Sequence, residues 1–159
     1  GYYKLSEQIV DNIIDFIKLK FSQKVTLFIT TSRRTSNLII KKIDQLAINN
    51  LFIKEVYHPN ISKDKNPYLR YLNIANEIIV TGDSMSMISD ACETGKPVRI
   101  YYNKSFCSHK HINFCQSIIK KNFAFSFETL GDKCHIIKKL ETSNQIATII
   151  KNEIYLWKK

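Results

Sequence analysis

The sequence predicts an α/β domain: a Rossmann-like parallel sheet with helices on both faces. Three observations predict it. Short apolar, β-branched runs recur along the chain. Each is followed by a longer stretch whose apolar residues fall three or four apart. Glycine, proline, serine and asparagine punctuate the joints where strands and helices exchange. Strands alternating with helices at this spacing need right-handed crossovers, and those place the strands parallel.

The elements follow in order. Over residues 5–21, Leu5, Ile9, Ile13, Ile17 and Phe21 stand four apart and predict one apolar helix face, with Ser6 as its cap. Residues 25–30 (VTLFIT) predict a strand buried on both faces. After a polar turn, Leu38, Ile39, Ile43, Leu46 and Ala47 give a second helix face, and residues 51–56 a second strand. The pair Asn66-Pro67 reads as a cap followed by proline at the first helical position, with Tyr68, Leu69, Leu72 and Ala75 as the apolar face. A third strand is expected at 77–80 and a helix over 84–94, stopped by Gly95. A fourth strand is expected at 97–101, a helix over 108–121 and a short fifth strand at 123–127. Thr142 with Gln145 fits a capping box opening a last helix through Ile146, Ile149, Ile150 and Ile154. No repeat or linker interrupts the chain, so residues 1–159 read as one domain.

Bulk properties set the function classes. A chain of 159 residues suffices for one core and is short for two ordinary domains. Its 44% hydrophobic and 24% charged residues are ordinary for a globular protein. No apolar run approaches the roughly 20 residues that span a bilayer, and no leader opens the chain, so a cytoplasmic protein is expected, compatible with peripheral membrane attachment. The start at Gly1 rather than Met reads as a trimmed start or a domain cut from a longer protein. The four cysteines, Cys92, Cys107, Cys115 and Cys134, form no CxxC pair and are expected as free thiols. The net charge of +10 points to an anionic partner or simply to an Ile-, Lys- and Asn-rich composition. No interleaved aromatic–basic strand marks a specific nucleic-acid binder.

In open parallel sheets ligands sit at the carboxyl ends of strands. Two strand-to-helix turns qualify. In the turn 81–86, Thr81, Gly82, Asp83, Ser84 and Ser86 combine a tight glycine turn, a helix cap and hydroxyl donors at a helix N-terminus. That suits a phosphate, although the Asp83 carboxylate already occupies the positive end; a capped helix without ligand is the alternative. In the turn 31–36, Ser32, Arg33 and Arg34 follow a buried strand, and guanidinium forks suit phosphate oxygens. A solvated basic loop is the alternative there. Asp90, two helical turns in, is placed to accept from ribose hydroxyls; an ordinary helix-surface carboxylate is the alternative. His58 reads as a surface histidine or a ligand contact. Cys107, His109, His111 and Cys115 are metal-ligand types, with 107, 111 and 115 on one helical face, but their spacing matches no zinc pattern, so no metal is expected. The tail 154–159, with Tyr155 and Trp157, suits packing on the body or on a further domain, or a membrane interface.

The runs NPYL at 66–69, ANEIIVTGDSMSMISDAC at 75–92 and TGKPV at 94–98, with TSRRT at 31–35, resemble the mitochondrial-fission factor family named for elongated mitochondria. The resemblance covers residues 25–101. It implies the C-terminal half of a GT-B glycosyltransferase or sugar-nucleotide epimerase architecture, with a nucleotide sugar as ligand, no other cofactor and an absent N-terminal half as partner. It implies that Ser84 and Ser86 face the diphosphate, that Arg33 and Arg34 lie near the phosphates, that Asp90 stands at the ribose, and that Val56, Tyr57, His58 and Pro59 lie on the base side. Catalysis by this half alone is not expected. A non-catalytic scaffold of the same family, associated with recruiting division machinery to membranes, and a basic domain binding nucleic acid or acidic lipid are the rival expectations.

Overall fold

The structure is a computed structural model that describes residues 5–21, 25–129 and 138–141. The fold class is α/β, with every described strand pairing parallel. The chain divides into two compact units, Gly1–Tyr71 and Leu72–Lys159.

The first unit runs α1 (Glu7–Phe21), β1 (Leu27–Thr30), α2 (Asn37–Asn49), β2 (Ile53–Tyr57) and into α3 (Tyr68–Ile74). Strand β1 pairs with β2, Leu27 opposite Ile53 and, after an irregularity, Phe28 opposite Glu55 through Thr30 opposite Tyr57. Its core joins Val10, Ile39 and Ile43, with Leu5, Ile29, Leu46 and Val56 packed against them. The helix start expected at Asn66-Pro67 is found: the Asn66 side-chain oxygen accepts from the Tyr68 amide at 3.0 Å. The Phe28 and Tyr71 rings meet at 5.3 Å.

Several expected faces are displaced. The buried residues of α1 are Ile9, Val10, Ile14 and Ile17, not the strict four-residue series. A spacing of four drifts by about 40° per step around a helix of 3.6 residues per turn, so that series leaves any one face within a few steps. Alternating steps of three and four stay on it. Of the expected faces of α2 and α3, Ile39, Ile43, Leu46, Leu72 and Ala75 pack on the cores, while Leu38 and Leu69 are 59% and 75% exposed and the buried residue of α3 is Tyr71. Strand β1, expected buried on both faces, is half-buried along its length.

The second unit runs β3 (Ile78–Thr81), α4 (Met85–Glu93), β4 (Val98–Tyr101), α5 (His109–Lys120) and β5 (Phe125–Ser126), in the sheet order β3-β4-β5. Ile88, Ala91, Cys92, Val98, Ile100 and Cys115 are wholly buried. Each such large aliphatic side chain contributes about 2 kcal/mol of transfer free energy. Helix α4 ends as the sequence predicts, with Gly95 at φ +72° just beyond it. Arg99 points from β4 into the interior with no exposed surface; its Nε donates to Glu77 and its Nη1 to the Thr129 carbonyl. Lys96 Nζ donates to the Leu72 carbonyl at 2.7 Å and to that of Asn73.

The helix expected from Thr142 and the tail 154–159 lie outside the described residues. Among those described, no helix is long and apolar enough to cross a membrane.

Candidate functional site

Each expected turn follows the carboxyl end of a parallel strand. In the first unit the Thr31 amide donates to the Tyr57 carbonyl at 3.1 Å, extending the β1–β2 ladder by one residue. The chain then turns on its own hydroxyls. The Ser32 amide donates to Thr35 Oγ1 at 3.0 Å, and the Arg34 amide to Ser32 Oγ at 3.1 Å. This is the local side chain–backbone bonding by which serine and threonine favour turns over helix interiors. Arg33 and Arg34 are exposed, and Asn60 Nδ2 holds the Arg33 carbonyl at 2.6 Å. Ser36 is the N-cap of α2 in extended geometry, φ −69° and ψ 153°, and its side chain makes no capping hydrogen bond.

His58 is not at the surface. It is 7% exposed, because it stands between two partners: Nδ1 lies 3.0 Å from Thr31 Oγ1, and Nε2 lies 3.0 Å from Asp44 Oδ1 on α2. Nothing in the sequence spacing marked Asp44, which comes from a helix face rather than a strand end. The other residues expected on the base side also meet protein. Val56 packs on the Val10–Ile39–Ile43 core, and Tyr57 is buried with its hydroxyl donating to the Asp64 carbonyl at 3.0 Å.

In the second unit Thr81 closes β3 opposite Tyr101, and the Gly82 amide donates to the Tyr101 carbonyl at 2.8 Å. The space beside Gly82 is filled by the protein itself. A β-carbon there would stand 2.5 Å from Tyr102 Cβ and 3.1 Å from each of the Cys107 and Cys115 sulfurs. The close approach that glycine permits is therefore used by the end of β4 and by α5. Burial pushes the Cys107 thiol up to about 11 and the Cys115 thiol to about 12, and the Asp83 carboxylate adds to both. Asp83 Oδ1 is buried and has no hydrogen-bond partner among the described residues.

Ser84 is the N-cap of α4, 9% exposed, its Oγ 3.3 Å from that of exposed Ser86. Neither Ser84 nor Asp83 supplies the cap bond the sequence predicts. Helix α5 is the contrast. Its N-cap Ser108 accepts from the His111 amide at 3.4 Å and lies 2.6 Å from His111 Nδ1. Asp90 is exposed on α4. Because α5 begins at His109, Cys107 precedes the helix and does not share its face with His111 and Cys115 as expected. His109 is exposed while both cysteines are buried, and among the described residues no three His, Cys, Asp or Glu side chains are placed to hold a metal ion.

A family model described as mitochondrial fission ELM1 matches residues 1–154. Among curated proteins, an uncharacterized protein of Rickettsia prowazekii (strain Madrid E) is 35% identical over 138 residues, covering 84% of this chain and 38% of the relative. The mitochondrial fission protein ELM1 of Arabidopsis thaliana is 28% identical over 152 residues, covering 94% of this chain and 34% of the relative. The chain thus spans about a third of the length of these relatives. No solved structure matches.

Proposed function

The chain belongs to the mitochondrial fission ELM1 family, and from that premise we propose that it binds a nucleotide sugar, as the nucleotide half of a glycosyltransferase-like or epimerase-like protein, with the turn 31–36 of the first unit and the turn 81–86 of the second each a candidate for phosphate. The observation that carries this reading is the pair of open N-caps. Ser36 and Ser84 stand at the starts of α2 and α4 without a side-chain capping bond, whereas Ser108 closes its own helix. The first turn of a helix has N–H groups that need acceptors, and phosphate oxygens behind a parallel strand are suited to them. Arg33 and Arg34 supply fork-shaped donors at the first turn. The Asp83 carboxylate opposes charge at the second, so the first turn is the better suited of the two to phosphate. Asp90, exposed on α4, is the residue for a ribose hydroxyl.

The test is titration of the protein with UDP and UDP–N-acetylglucosamine, followed by thermal unfolding and calorimetry. Ligand at 100 times its dissociation constant adds about 2.7 kcal/mol to stability. A saturable response that Arg33→Ala/Arg34→Ala or Ser84→Ala abolishes supports the proposal and tells which turn holds the phosphate. A stable protein partner with no nucleotide response replaces it with a scaffold role. Binding that tracks ligand charge alone and collapses with salt replaces it with a nonspecific basic surface.

A further inference from the structure

We infer that Thr31, His58 and Asp44 make anion binding at the turn 31–36 proton-linked: the anion is held when both ring nitrogens of His58 carry a proton. The inference rests on the reading that this turn takes an anion. Thr31 comes from the end of β1, His58 from the end of β2 and Asp44 from α2, in a chain with both links at 3.0 Å. The ring and the threonine are 7% and 9% exposed, so water does not substitute freely between these two, while the Asp44 carboxylate is open to solvent.

The hydrogen count follows from the chemistry of the groups. A carboxylate only accepts, so Nε2 must carry a hydrogen toward Asp44. In the neutral ring Nδ1 then has none and must accept the Thr31 hydroxyl hydrogen. That commits the single hydroxyl hydrogen inward, and Thr31 turns only lone pairs to a ligand, which an anionic oxygen does not tolerate. A second ring proton reverses the link. Nδ1–H donates to Oγ1, the hydroxyl hydrogen is released to an anionic oxygen, and a positive charge stands one hydroxyl behind it. Asp44 accepts from Nε2–H in either state of the ring. The other charged side chains on the elements packed around the ring are engaged or exposed: Lys42 pairs with Asp11 at 2.8 Å, Glu55 takes Arg70 at 2.6 Å, and Lys41, Lys54, Arg33 and Arg34 are exposed. An anion at the turn therefore draws one proton into the protein, and a neutral ligand does not.

UDP–N-acetylglucosamine is a suitable probe, because its diphosphate has no ionisation between about pH 6 and about pH 8, the span in which histidine changes charge. Calorimetry in two buffers of different ionisation heat gives the protons taken up, and 15N shifts of the ring give its protonation. The expected result is affinity falling toward tenfold per pH unit at the alkaline side, uptake approaching one proton, and a ring passing from the Nε2–H tautomer to the doubly protonated form on saturation. His58→Gln and, independently, Thr31→Val flatten the pH dependence. Equal affinity across this range without proton uptake, while Arg33→Ala/Arg34→Ala still abolishes binding, overturns the proton link and leaves the anion turn standing. Absence of binding across the whole range overturns both.

Discussion

The β-carbon of Tyr102 occupies the position that a side chain on Gly82 would need, 2.5 Å from where its first carbon would stand. Tyr102 follows the last residue of β4, and Gly82 the last of β3, so two adjacent parallel strands leave their sheet in near contact. Gly82→Ala forces backbone movement at that point and is expected to cost about 1–3 kcal/mol by denaturant unfolding. Gly95→Ala has room, its nearest neighbour being Lys139 at 3.7 Å, and is expected to cost about 1 kcal/mol through its positive φ alone. Equal costs at both sites would remove the crowding argument.

The helix caps make opposite predictions from the same substitution. Ser108→Ala removes the bond from the His111 amide and should lower stability by about 1 kcal/mol. Ser36→Ala and Ser84→Ala remove no such bond and should stay within about 0.5 kcal/mol of the parent. Thermal unfolding of the three variants without ligand decides between them.

Alkaline pH should destabilise the second unit. Burial holds Cys92 and Cys107 at about 11 and Cys115 at about 12, above the ordinary thiol value. In the unfolded chain these thiols ionise first, so it binds fewer protons than the native state. Their stabilisation is complete below the unfolded thiol pKa and is lost as pH rises through the folded values. Each thiol can cost up to about 1.4 kcal/mol per pH unit in that window. Unfolding midpoints that stay level from about pH 8 to about pH 10.5 would contradict the burial of these groups. Cys115→Ala should flatten the slope while lowering stability at neutral pH.

Arg99 is wholly buried within the second sheet, with Glu77 and the Thr129 carbonyl as acceptors. Arg99→Ala leaves a carboxylate without this partner and a cavity in place of a guanidinium; a loss of about 3–5 kcal/mol is expected. Arg99→Met, which restores most of the volume, should lose clearly less. Chemical denaturation of both variants separates the charge from the packing.

The order of strands and helices was legible in the sequence because it rests on local signals: β-branched runs, Asn66-Pro67, and Gly95 after its helix. Burial was less legible. The four-residue series in α1 could not show that Val10 and Ile14 replace Ile13 on the inner face, since composition allows either stripe. Tyr71 is buried against Phe28 on a helix where one leucine, Leu69, faces outward and the other, Leu72, packs on the second core. The turns 31–36 and 81–86 were visible as strand-end chemistry. Asp44 was not, because its meeting with His58 joins residues fourteen apart through a helix and a strand. Nor could the sequence tell that Gly82 accommodates Tyr102, Cys107 and Cys115; the same glycine before a helix reads equally well as room for a ligand.

Strand β5 contributes only Phe125 and Ser126 to the sheet, pairing with Arg99 and Ile100 of β4. It follows Lys120 and Lys121 and, in the described sheet, it stands at the end of the order β3-β4-β5. A strand of two residues offers few amides and carbonyls to an incoming strand, and nearby lysines repel a second copy. Among the described residues, this end of the sheet is thereby a poor seed for an intermolecular ribbon.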